Sequence, residues 1–116
     1  MSLIAVEAAI VVADASRRDH VVAESVPYQS ATRTQEPGCL VYCFAADPVR
    51  ADLIQVYELW ADEASLEVHF IHPNYLAMRA MLNNAGLVSA VSRKHRIDAS
   101  SPVYDAERKP SARFDG

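Results

Sequence analysis

From Ile4 to Ala13 the chain reads IAVEAAIVVA, an apolar, largely β-branched run broken only by Glu7, which predicts a well-buried strand. Asp14-Ala15-Ser16 ends it, and Ser16 with Asp19 has the spacing of a capping box opening a helix. That helix is predicted to reach about Gln35, burying Val22, Ala23 and Val26. Pro27 in its middle removes a hydrogen bond and is expected to kink or split it. Glu36-Pro37-Gly38 reads as a stop and turn.

A second strand, Cys39–Ala45, alternates Leu40, Tyr42 and Phe44 on one face with Cys39, Val41 and Cys43 on the other. A short loop from Asp47-Pro48 to Asp52 leads to a third strand, Leu53–Ala61, and the two are expected to form an antiparallel hairpin. Asp62 is a good N-cap for the helix DEASLEVHFI. His72-Pro73 interrupts the pattern, and Pro73 suits the first turn of a further helix, NYLAMRAMLNNA, with Gly86 as its stop. Val88–Ala99 alternates as a fourth strand. Residues 100–116 are polar with two prolines, expected to be mobile or to lie as an arm on a neighbouring subunit.

The resulting order, β-α-β-β-α-β over residues 1–99, is the α+β, ferredoxin-like arrangement: a four-stranded antiparallel sheet with helices on one face. The other face is apolar and has no helix left to cover it. A homodimer joined through the sheet faces, a dimeric α+β barrel, is therefore expected.

Composition narrows the picture further. At 116 residues the chain holds one domain, and a net charge of −4 offers no footing on nucleic acid or an anionic membrane. The longest unbroken apolar run, Ala8–Ala13, is far short of the roughly 20 residues of a membrane helix. No export signal is recognisable, so a cytoplasmic protein is expected. Cys39 and Cys43, four apart on a strand, would stand roughly 13 Å apart, too far for a disulfide.

Two stretches, EPGCLVYCFAADP and YELWADEASLEVHFIHPNY, carry a resemblance to the antibiotic-biosynthesis monooxygenase family. The EPGC turn, the strand end YExW, the DEASLEVH segment and the P-x-Y step recur there in this order, spanning about Ile4 to Ile97. The resemblance implies a dimeric α+β barrel with a pocket between sheet and helices. It also implies cofactor-free oxygenation of phenols or hydroquinones, with Trp60, His69 and Tyr75 near the pocket. Related branches degrade haem or isomerise a phosphorylated quorum-sensing signal. Two positions depart from the pattern: Val56 stands where some polyketide-tailoring members carry Asn, and Arg79 stands where the haem-degrading branch places its iron-ligating His. Arginine cannot ligate iron, which argues against haem degradation.

Such chemistry needs a base, a dry pocket and a way to stabilise an anion. His69 is the candidate base, because its unperturbed pKa lies near working pH. Glu58, two residues before Trp60 on one strand face, is expected to orient His69 and hold its tautomer. Trp60 offers a flat wall and an N–H donor, Phe70 and Tyr75 extend that wall, and Tyr42 is either wall or core. Tyr75 and Arg79 share a helix face and are candidates for binding a ring substituent or carboxylate. His69 read blandly is a hydrogen-bonded core residue, and Glu58 a partner for an arginine of a second subunit. His69-x-x-His72 lacks a nearby acid or thiolate to complete a metal set, so no metal is expected.

The first functional reading is a cofactor-independent monooxygenase turning a hydroquinone or polycyclic phenol into a quinone with dioxygen. An isomerase of a small phosphorylated carbonyl compound and a non-catalytic dimeric ligand-binding domain are the alternatives.

Overall fold

The apolar run at the start becomes one of the two inner strands of the sheet. The computed structural model describes residues 1–114, and in it Ile4–Val12 (β1) lies between two antiparallel neighbours. A 3-10 turn, Ala15–Arg17, leads into the helix Arg18–Gln35 (α1), the hairpin Cys39–Ala46 (β2) and Leu53–Trp60 (β3), two helices Glu63–Ile71 (α2) and Pro73–Asn84 (α3), and Leu87–Arg96 (β4). The strand order is β2-β3-β1-β4, all neighbours antiparallel, which is the expected ferredoxin-like α+β sheet.

One face of that sheet carries the core. Ile4, Ile10, Phe44, Ile54 and Val56 pack against Val21 of α1, Leu66 of α2, and Met78 and Leu82 of α3. The punctuation between elements is local chemistry. Asp62 accepts from the Ser65 amide at 2.8 Å to cap α2, and His72 Nδ1 accepts from the Asn74 amide to cap α3. Pro73 occupies the first position of α3, and Gly86 stops the helix at φ +79°.

The start of α1 differs from expectation. Asp14 caps the preceding 3-10 turn, accepting from both the amide and the hydroxyl of Ser16, α1 itself starts after Arg17 with no side-chain cap, and Asp19 pairs with Arg18. Pro27 does not split the helix: Pro27 and Ala23, whose carbonyl loses its donor, are both exposed, so water replaces the missing bond. The buried stripe is also shifted. Val26 and Ala23 are exposed, and Val21, Ser25, Gln29 and Thr32 face inward.

That stripe is polar because α1 covers the open edge of β2. The Gln29 side chain donates to the Phe44 carbonyl at 3.0 Å and accepts from the Phe44 amide at 3.0 Å, as a neighbouring strand would. Arg33 Nε donates to the Tyr42 carbonyl at 2.7 Å. Edge groups that a valine would have left bare are satisfied.

The alternation expected in β2 breaks at its start. Cys39 pairs with Trp60 and Val41 with Leu59, so Leu40 is the extra residue of a bulge. Leu40 is exposed, while Cys39 packs toward the core with Tyr42 and Phe44. The two free cysteines therefore face opposite sides of the sheet, not the same side.

Gly38 is required by close approach. A Cβ there would overlap the Ser65 side chain, where the turn before β2 presses on α2. Gly38→Ala is expected to cost about 1–3 kcal/mol through overpacking. Gly86→Ala, where space is open but φ is positive, should cost only about 1 kcal/mol. Thermal unfolding of the two variants side by side checks the ranking.

The opposite sheet face, including Ala5, Ala9, Val11, Val41, Leu59 and Tyr57, is partly or largely exposed and bears no helix. Beyond β4, the segment around 103–111 closes a small hairpin turn. Asp105 accepts from the amides of Glu107 and Lys109, and the Ser111 amide donates to the Val103 carbonyl. Asp115 and Gly116 of the expected tail lie outside the described residues.

Candidate active site

Because β3 alternates, Val56, Glu58 and Trp60 all point to the helix-bearing face. Glu58 stands in a rung with Tyr42 on one side and Val6 on the other, and Val6 in turn pairs with Lys94. The helices do not reach across to β4, whose residues are exposed from Val88 onward. The gap leaves a cleft of about 280 Å³ between the sheet and α2–α3.

Its floor is apolar, with Val6, Ala8, Ile10 and Val56, and its helical wall is Phe70, Tyr75 and Met78. Polar groups are few: Glu58 and Tyr42 at one end, Arg79, Asn83 and Ser92 elsewhere along it. Arg79 is exposed and forms no ion pair with a described residue. Phe70 also lines a second hollow of about 470 Å³, bounded by Leu66, Glu63, Lys94 and Arg96.

Glu58, Tyr42, Phe70, Tyr75 and Arg79 thus meet at one cleft, whereas Trp60 and His69 do not line it. The indole is 0% exposed and the imidazole 1% exposed. They lie against each other, centroids 4.5 Å apart, with Tyr42 and Tyr75 edge-on to the imidazole at 5.4 and 5.3 Å. The last residue of a strand directly beneath a helix is a core position, which is why the expected wall became packing.

The expected Glu58–His69 pair does not form either. Trp60 Nε1 donates to Glu58 Oε1 at 3.0 Å, and His69 Nδ1 bonds Glu36 Oε1 at 2.8 Å instead. Glu36, at the C-terminal cap of α1, is 6% exposed and also accepts from Asn74 Nδ2 at 3.1 Å. Reading EPG only as a turn passed over this acid. The signal was a charged residue placed directly before a chain reversal that carries it under α2. Glu36 is also an acid beside both His69 and His72, with His72 Nδ1 3.9 Å away. Among the described residues no group of three His, Cys, Asp or Glu is arranged to hold a metal.

Burial sets the electrostatics. Glu58 is 8% exposed, and loss of hydration pushes its carboxyl up to about 7. The Trp60 hydrogen bond pulls the other way and the nearby Glu36 charge adds to the rise. Burial pushes His69 below the usual histidine range, against the pull of Glu36, which favours a neutral ring with its proton on Nδ1. Tyr42 is raised by burial and the neighbouring acids, so it stays protonated and can serve as a donor but not as a base. A carboxyl that titrates near neutrality inside an apolar cleft is suited to taking a proton from a weak acid and returning it.

Comparison with known proteins follows the same lines. The model of the family described as antibiotic biosynthesis monooxygenase matches residues 4–81. A solved structure of a proposed antibiotic biosynthesis monooxygenase from Caulobacter crescentus CB15 superposes with TM-score 0.75 at 22% identity, covering 86% of this chain and 92% of that one. A similarly described protein from Deinococcus radiodurans gives 0.77 at 18% identity, covering 88% and 99%. A Bacteroides thetaiotaomicron protein described as a possible oxidoreductase gives 0.72 at 17%, covering 83% and 98%. At these identities the structures speak for a shared fold. No curated protein matches the sequence.

Proposed function

The chain belongs to the antibiotic biosynthesis monooxygenase family, and from that premise we propose that it oxidises a hydroquinone or polycyclic phenol to a quinone with dioxygen, without a cofactor. The observation that carries the reading is Glu58, an acid with a carboxyl near 7 at the end of a cleft walled by aromatic and aliphatic side chains. The cleft suits a flat apolar ring, and the acid suits the weakly acidic hydroxyl such a ring carries.

Glu58 takes the phenol proton, and the phenolate passes one electron to dioxygen. In a phenol whose para carbon carries hydrogen, the two radicals join through a new C–O bond at that carbon, and the peroxide takes a proton from Glu58. Loss of the ring C–H proton to Glu58 then breaks the O–O bond. The departing hydroxide leaves as water with that proton, and a quinone remains. One dioxygen is consumed per phenol, one oxygen atom entering product and one entering water. A hydroquinone, whose para carbon already bears a hydroxyl, loses that hydroxyl proton and releases the peroxide as hydrogen peroxide instead. Tyr42 and Arg79 are assigned to donating to the developing anion, and Phe70 and Tyr75 to holding the ring. His69 and Trp60, expected as catalytic from the sequence, are given no direct contact with substrate in this reading.

A second copy is proposed to cover the helix-free sheet face, making a homodimer. Light scattering at micromolar concentration is expected to give a dimer mass, and a monomer would count against this.

The test is oxygen uptake with a panel of hydroquinones and polycyclic phenols, flavin and metals having been removed. At least one compound should consume oxygen faster than the protein-free rate, and a quinone formed from a phenol with a hydrogen-bearing para carbon should carry one atom from ¹⁸O₂. No uptake across the panel would overturn the reading.

A further inference from the structure

We propose that Trp60, His69 and Glu36 are positioning residues for Glu58, a contact chain from the end of α1 that fixes how the carboxyl is presented to the cleft. This rests on the reading of Glu58 as the base. Trp60 Nε1–H holds Oε1 at 3.0 Å, and Oε2 accepts no hydrogen bond from a described residue. One oxygen is thus tethered and the other is left for a substrate proton. The tether is itself held: the indole is fully buried, and the imidazole lies 4.5 Å from it at an interplanar angle of 37°. The imidazole is anchored through Nδ1 to Glu36 Oε1, and Asn74 secures Glu36 Oε2.

Each link removes a rotation. Glu36 selects the tautomer and ring orientation of His69, His69 limits the tilt of the indole, and the indole N–H limits the χ angles of Glu58. Support of this kind is what keeps a reacting group within a fraction of an ångström of its working place. The chain is also electrostatic, since a carboxyl group stands at each end and they repel. Other groups facing Glu58 are Cys39 and Tyr42 on β2, and Tyr75 and Arg79 across the cleft on α3. Lys94 stands in the same rung, two strands away on β4.

The chain contains a single tryptophan, so one indole N–H resonance reports on the link directly. In ¹H–¹⁵N spectra recorded across pH, that resonance is expected to shift with a midpoint near 7 and to lose the shift in Glu58→Gln. Glu36→Gln, which keeps an acceptor for His69 but removes a charge, should move the midpoint down. His69→Leu removes the ring contact and should speed indole N–H exchange with water at least roughly tenfold. A wild-type indole resonance indifferent to pH between 5 and 9, or one whose shift survives Glu58→Gln, overturns the proposal. So does a midpoint unmoved by Glu36→Gln together with exchange unmoved by His69→Leu. None of these readouts needs a substrate. If they come out as expected while no phenol in the panel is oxidised, the contact chain stands and the monooxygenase reading falls.

Discussion

Glu58→Gln should lower oxygen uptake with any accepted phenol by about 10²–10⁴-fold, the usual worth of a positioned general base, with far-UV circular dichroism unchanged. The amide keeps an oxygen to accept from Trp60, so the loss tests the proton rather than the packing. The same variant should be more stable than the wild type at alkaline pH. In the folded protein the Glu58 carboxyl is pushed from 4.5 up to about 7, so the fold holds its proton more tightly than the unfolded chain does. That contribution is fully present below about 4.5 and is lost as pH rises through 7. Above that the buried charge costs about 3–4 kcal/mol, since about 2.5 units separate the two values and each is worth about 1.4 kcal/mol. The variant should therefore gain most of that at pH 8–9 and nothing at pH 4, as read by urea unfolding at both. Full activity in Glu58→Gln would remove the acid from the reaction.

Glu36→Ala carries the second large effect, this time on stability. The substitution leaves the fully buried imidazole without its acceptor, while the Asn74 amide keeps its 3.4 Å bond to Gln35. Leaving a buried neutral donor unsatisfied in this way costs about 1–3 kcal/mol. For a domain of this size that should lower Tm by roughly 4–15 °C. Glu36→Gln should lose less, because one oxygen still accepts. A loss below 1 kcal/mol in the alanine variant would mean that His69 finds another partner.

Most of the fold was readable because its signals are local. Asp62, Pro73 and Gly86 act through the residues beside them, and the alternation of β3 alone puts Glu58 and Trp60 on one face. What escaped depends on distant partners. The bulge at Leu40 adds one residue and reverses the facing of Cys39, which period-two counting cannot detect. The inward stripe of α1 is chosen by a strand edge that needs hydrogen bonds, so hydrophobicity misidentified it. At the site, the residue types were legible and their partners were not. Glu58 and His69 have the sequence spacing of a pair. Yet Glu36, 33 residues before His69, takes the imidazole and leaves Glu58 to the indole.

The amide of Gln29 and the guanidinium of Arg33 also bear on how the molecule meets its own kind. With both outer groups of Phe44 and the carbonyl of Tyr42 already engaged, backbone addition to β2 is obstructed there, and among the described strands β4 is the edge left open. A chain with one reactive flank can join a second and then stop. Edge pairing taken by itself is therefore confined to one flank and stops at two copies.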